Sequence, residues 1–130
     1  CGVRQTPDGA IDPSQVAEIS VRDGHDFYDF AAKYVSNGAD LLVPADLSAE
    51  ISDRVRETAR RCFVELGCEG LARVDFFVTD HDIVVNEVNT MPGFTPISLY
   101  PRMWEASGVS YRELVDSLVR EALARPPGLR

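Results

Sequence analysis

A chain of 130 residues, 45% of them hydrophobic, encloses one core and is too short for two full domains. Its formal net charge of −8 excludes a nucleic-acid or anionic-membrane surface as partner, although a phosphate-handling site stays open if divalent cations bring positive charge. Cys1, Cys62 and Cys68 are odd in number and lack paired spacing, so they suit a reducing, cytoplasmic setting, and no apolar run approaches the roughly 20 residues of a membrane span.

The chain opens without Met at Cys1-Gly2-Val3-Arg4-Gln5, which reads as a strand entered partway and leads to the expectation that material is missing upstream. Thr6-Pro7-Asp8-Gly9 is a turn signal. A pairing strand is expected between Ile11 and Val21, where Ala17, Ile19 and Val21 alternate with Glu18 and Ser20. From Arg22 to Asp40 no period is clean, and Phe27, Tyr28, Phe30 and Tyr34 stand among charges and glycines. A long loop with aromatic anchors is more often functional than idle.

Leu41-Leu42-Val43 reads as a short strand stopped by Pro44. Ser48 is an N-cap for a helix running to about Leu66, with Ile51, Val55, Ala59, Cys62, Phe63 and Leu66 on one stripe and Gly67 as its stop. Arg54, Arg56, Arg60 and Arg61 make its solvated face. Two strands follow, from Leu71 to Val78 and from Ile83 to Val88, joined by a polar turn short enough to require antiparallel pairing. The link carrying Met103 and Trp104 packs into a last helix, which opens at the capping box Ser110-Tyr111-Arg112-Glu113 and buries Leu114, Val115, Leu118, Ala122 and Leu123. His25 and His81 stand in polar loops and are expected to face solvent. The expected fold class is α+β, a mainly antiparallel sheet packed against helices.

Alternation along a strand puts Arg73 and Asp75 on one face, with Val74, Phe76 and Val78 on the other, which is core. Glu87 and Asn89 share a face in the same way. A three-residue loop over residues 80–82 pairs Thr79 with Ile83 and sets Asp75 opposite Glu87 and Arg73 opposite Asn89, whereas a slip of one residue turns the second strand over. We adopt the converging register. Two carboxylates facing one another repel, so the pair either raises its pKa or recruits a counter-charge. Arg73 supplies one; Asp, Glu and Asn oxygens also suit Mg²⁺, and a carboxylate shared by two ions about 3.5–4 Å apart clamps a transferring phosphoryl group. A plain arginine–acid network at a sheet surface uses the same residues. Pro92-Gly93 then makes a turn whose glycine admits a ligand close to the backbone and whose N–H groups suit an oxyanion.

The runs Gly70-Leu71-Ala72-Arg73-Val74-Asp75-Phe76-Phe77, Asn86-Glu87-Val88-Asn89-Thr90-Met91-Pro92-Gly93-Phe94-Thr95 and Ser98-Leu99-Tyr100-Pro101 resemble the C-terminal signature of the D-alanine-D-alanine ligases, of the ATP-grasp superfamily. Phe27-Tyr28-Asp29-Phe30-Ala31-Ala32-Lys33-Tyr34 is similar to the same family's mobile active-site loop, and Val43-Pro44-Ala45 also fits. The resemblance implies an ATP-grasp C-terminal subdomain: residues 1–130 as one partial domain, without the N-terminal and central ATP-binding segments. It also implies a two-step reaction for peptidoglycan precursor synthesis. ATP phosphorylates the carboxylate of one D-alanine, and the amine of a second displaces phosphate from that acyl phosphate.

By position, Asp75 and Glu87 would bind one Mg²⁺, and Glu87 and Asn89 another, with Mn²⁺ as a substitute. Arg73 would hold the transferring phosphate and, with the Gly93 N–H, the developing oxyanion. Ser98, through its hydroxyl, and Leu99, through its N–H, would contact the acceptor's carboxylate. Lys33, the only lysine of the chain, would reach the ATP phosphates when the loop closes. Tyr34 would favour an amine acceptor. The full-length enzyme is expected to be a cytoplasmic homodimer that takes D-alanine as substrate. The alternatives are a D-alanyl-D-lactate or D-alanyl-D-serine ligase, another ATP-grasp ligase, or a non-catalytic module that binds Mg²⁺ or a protein partner.

Overall fold

A computed structural model describes residues 1–21, 39–79 and 81–126 of the chain. Among these residues six strands and three helices follow in the order β1 (Gly2–Gln5), β2 (Ile11–Pro13), β3 (Glu18–Val21), β4 (Ala39–Leu42), α1 (Ala49–Glu65), β5 (Leu71–Val78), β6 (Ile83–Asn89), α2 (Leu99–Ala106) and α3 (Tyr111–Ala124). The main sheet has the order β2-β1-β5-β6, and β3 and β4 form a separate pair. Every pairing among the described strands is antiparallel, in keeping with the α+β reading. None of the described helices is long and apolar enough to cross a membrane.

The α1 helix begins at its cap, where Ile51 N–H donates to the Ser48 hydroxyl at 3.3 Å. It ends in a Schellman closure: Gly67 N–H donates to Val64 C=O at 3.0 Å and Cys68 N–H to Phe63 C=O at 2.9 Å. Gly67 takes φ +63°, a left-handed conformation that a side chain would strain. Val55, Ala59 and Phe63 are buried with Val3, Ala72 and Val74. A second cluster holds Tyr100, Met103, Trp104 and Leu114. Alternation along β1 explains how one sheet serves both clusters. Val3 faces α1, whereas Gly2 and Arg4 face α2. A Cβ at Gly2 would sit 3.1 Å from the Tyr100 ring and 3.2 Å from Trp104, so the missing side chain lets α2 lie close. Arg4 stacks over Trp104 at 4.5 Å, and the Tyr100 hydroxyl donates to Val3 C=O at 2.8 Å.

Several expectations need correction. Of the stretch from Ile11 to Val21, only Ile11–Pro13 pairs with β1, whose other neighbour is β5; the alternating part that ends at Val21 pairs instead with Ala39–Leu42, through Glu18↔Leu42 and Ile19↔Leu41. Pro13-Ser14 ends β2, and the Ser14 hydroxyl turns inward to accept from Gly2 N–H at 2.9 Å. Ala39 and Asp40 are strand rather than loop, and β4 ends before Val43. Leu66 is 65% exposed, because the Schellman turn carries it off the stripe. Arg56 is not simply solvated: its Nε donates to Ser14 C=O at 3.2 Å, tying α1 to the end of β2.

The link before the last helix is itself a helix, α2, with Ser98 as N-cap and Pro101 in its first turn. Met103 and Trp104 are buried there as expected. The capping box of α3 is present, but only Leu114 and Glu121 among its residues are buried. Val115, Ala122 and Leu123 are exposed, since α3 meets its neighbours along the narrower line of Leu114, Leu118 and Glu121. Arg125 donates to the Glu121 carboxylate at 3.1 Å and to Glu69 at 3.0 Å, which ties the helix end to the entry of β5.

Candidate active site

Ala72 and Val74 are fully buried against α1, so Arg73 and Asp75 project from the opposite face of β5. The hairpin connection is one residue longer than expected. Val78, not Thr79, pairs with Ile83, and the Thr79 hydroxyl accepts from Asp82 N–H at 3.0 Å inside the turn. Continued regularly, that register would set Asp75 against Asn86 and turn Glu87 toward the core. A β-bulge corrects it: Phe76 pairs with Val85 and Asp75 with Glu87, leaving Asn86 as the extra residue. Arg73 then faces Asn89, so the expected convergence is reached by a different route.

Arg73 satisfies the acids in this arrangement. Its Nε donates to Asp75 Oδ1 at 2.7 Å and its Nη2 to Asp75 Oδ2 at 2.8 Å. The same Nη2 lies 3.7 Å from Glu87 Oε1. Arg73 and Asp75 are 16% and 22% exposed, whereas Glu87 is 49% exposed, so the inner pair is sheltered and the outer acid open to incoming ligands. Asn89 Oδ1 accepts from Met91 N–H at 3.0 Å, which fixes where the amide oxygen points and leaves that oxygen a second lone pair. Among the described residues no three His, Cys, Asp or Glu side chains cluster. The oxygen set is two carboxylates and an amide carbonyl, whose chemistry fits a hard divalent ion.

The second group of candidates lies just downstream. A Cβ at Gly93 would meet the Ser98 hydroxyl at 3.1 Å, so the turn and the start of α2 touch. Ser98 Oγ accepts from Thr95 N–H at 3.0 Å and sits 2.8 Å from Thr95 Oγ1. It makes no cap bond to α2. The first-turn N–H groups of Leu99 and Tyr100 are donors of the kind a helix leaves without intrahelical partners. Tyr111 secures this turn by donating to Phe94 C=O at 2.9 Å. A cleft of about 720 Å³ runs between the two sheets, lined among others by Glu18, Ile19, Asp75, Glu87 and Leu99. It brings the acid pair and the start of α2 to one space. Lys33, Tyr34 and the rest of residues 27–34 lie outside the described residues, as does His25; His81 is exposed.

Sequence reasoning missed Phe77 and Asn86, both of which line this cleft. Phe77 is 63% exposed opposite Val84, at 53%. Alternation along β5 sets Phe77 on the face of Arg73 and Asp75, a signal present in the sequence that would have found it. Nothing in the letters marked Asn86 as a bulge.

The antiparallel sheet with its helices is the fold of the C-terminal part of ATP-grasp proteins, as solved structures with the same fold show. Residues 1–120 match the family described as D-ala D-ala ligase C-terminus, and the chain belongs to it. It is 54% identical to a D-alanine–D-alanine ligase of a Mycobacterium species (strain KMS) over its whole length, and spans 36% of that relative. Similar solved structures include two ligases. The D-Ala:D-Ser ligase VanG from Enterococcus faecalis has a TM-score of 0.77 and 37% identity, over 93% of this chain and 34% of that one. D-alanine–D-alanine ligase from Bacillus anthracis complexed with ATP has a TM-score of 0.66 and 30% identity, over 94% of this chain and 37% of that one.

Proposed function

We propose that this chain is the metal- and acceptor-binding part of an ATP-dependent ligase that joins two D-alanines in the cytoplasm. The observation that carries the reading is the gathering of Arg73, Asp75, Glu87 and Asn89 on one sheet face through the bulge at Asn86. Family membership and the 54%-identical ligase support it. The ATP complex of the Bacillus anthracis ligase supports ATP as the phosphoryl donor. The upstream ATP-binding segments and a homodimeric full-length enzyme belong to the same reading.

Asp75 and Glu87 would hold one Mg²⁺, and Glu87 and Asn89 a second; bound there, the ions neutralise charge on the phosphates during transfer. Arg73 binds the transferring phosphoryl group and then the oxyanion that forms when the acceptor amine attacks the acyl carbon. The Gly93 N–H donates to that same oxygen. The acceptor's carboxylate is oriented by the Ser98 hydroxyl and the Leu99 N–H, whose position at the start of α2 favours an anion. Lys33 neutralises phosphate, and Tyr34 shapes the acceptor site; loop closure keeps water from the acyl phosphate. The bonds balance: phosphate leaves as the amide forms, and the amine loses its proton.

A chimera tests this directly. This chain replaces the matching 36% of the Mycobacterium relative, and D-alanine-dependent phosphate release from ATP is measured. The chimera should turn over, and Glu87→Gln should cost about 100-fold or more, the effect of losing several kcal/mol of charge stabilisation. The isolated chain should release no phosphate above background. A folded chimera whose Glu87→Gln variant keeps full activity contradicts the reading and favours a binding module. The similarity to a D-Ala:D-Ser ligase makes acceptor choice a second question, settled by competing D-alanine, D-serine and D-lactate in one assay.

A further inference from the structure

Both oxygens of Asp75 face nitrogens of one guanidinium, at 2.7 and 2.8 Å. A bidentate fork of this kind takes one lone-pair site on each oxygen, about half of what the carboxylate offers, and crowds a hard divalent ion approaching the same edge. The Nη2 that closes the fork also approaches Glu87 at 3.7 Å, so one positive group spans the two acids proposed as ion ligands. Arg73 and Asp75 are two residues apart on one strand and both largely sheltered. The guanidinium is therefore a local, permanently charged occupant of that carboxylate. An ion with two charges cannot approach Asp75 without meeting a like charge.

We propose that Arg73 is a built-in competitor for the first divalent ion, and that an ion reaching Asp75 releases the guanidinium toward the phosphate it is to bind. This rests on the reading of Asp75 and Glu87 as ion ligands. With no phosphate present, the fork holds ion affinity down. When a phosphate accepts the freed guanidinium, the ion meets less opposition. Ion and phosphate binding are thereby coupled, and the coupling is reciprocal. Each acid then keeps a cation beside it whether or not the ion is bound.

The test is Mn²⁺ binding to the 130-residue chain without nucleotide, measured by calorimetry or by the paramagnetic signal of free ion. Arg73→Met should tighten binding about tenfold, within the usual range for coupled sites. Arg73→Lys keeps the charge but loses the fork, and should tighten it by about threefold, which separates the fork from net charge. Arg60→Met, the same loss of charge on the outer face of α1, should leave affinity within about twofold. In nitrogen-15 spectra, added Mg²⁺ should move the Arg73 Nε–H resonance. Circular dichroism verifies the fold of each variant. If Asp75→Asn abolishes Mn²⁺ binding while both Arg73 variants bind as the parent does, the competition is refuted and the ligand reading survives. Mn²⁺ binding that responds to neither Asp75 nor Glu87 overturns both.

Discussion

On one face of β5, Ala72 and Val74 are fully buried under α1, whereas on the other Arg73 and Asp75 keep contact with solvent and hold each other by two charged hydrogen bonds. The first face gains by excluding water from apolar surface and follows a period of two without exception. The second places two acids opposite one another, a pairing that costs stability until a cation balances it. A face built for stability would have little use for Glu87 across from Asp75. The bulge sharpens the point, since it interrupts the ladder exactly one residue before that pair, and without it Glu87 would turn to the core.

Disturbing the packed side should produce the largest loss. Phe63 is 1% exposed beneath β5, and Phe63→Ala should destabilise the chain by about 3–5 kcal/mol in urea denaturation. A loss below 1 kcal/mol would mean that α1 does not hold the sheet as described. Tyr100, on the second cluster, should show a smaller effect with a signature in pH. Burial pushes its phenol well above the usual range near 10, so the neutral form is the one the fold favours. That contribution is whole below pH 10 and fades as pH rises beyond it. Tyr100→Phe should cost about 1–3 kcal/mol at neutral pH, for the lost bond to Val3 C=O, and should flatten the alkaline decline. Parallel pH curves for parent and variant would contradict this. Phe77 belongs to the other side, and Phe77→Ser should move stability by no more than about 0.5 kcal/mol despite the size of the ring removed.

The features legible in the sequence are those governed by local chemistry. Ser48 and Ser110 announced their helices because a hydroxyl at an N-cap satisfies an otherwise free N–H, and Gly67 announced a stop because left-handed backbone favours glycine. The faces of Arg73, Asp75, Glu87 and Asn89 were legible as well, though through a turn of the wrong length. What escaped depends on partners distant in the chain. Ile19 alternates equally well for either sheet, and only the approach of Leu41 decides between them. Asn86 is a bulge because of what β5 requires opposite it. The exposure of Val115 and Leu123 reflects how little of α3 its neighbours cover, which no helical period reveals. The short α2 was within reach, since Ser98 followed by Pro101 is an opening signal for a helix.

The most direct measurement compares Mn²⁺ affinity and urea midpoint for the parent chain and its Glu87→Gln variant. Glu87 is half exposed and leaves the Arg73–Asp75 pair intact when neutralised, so the midpoint should hold while Mn²⁺ affinity falls at least tenfold. Equal Mn²⁺ affinity in the two proteins, or a variant that loses stability instead, would show that this face of the sheet is held together for its own sake and not for an ion.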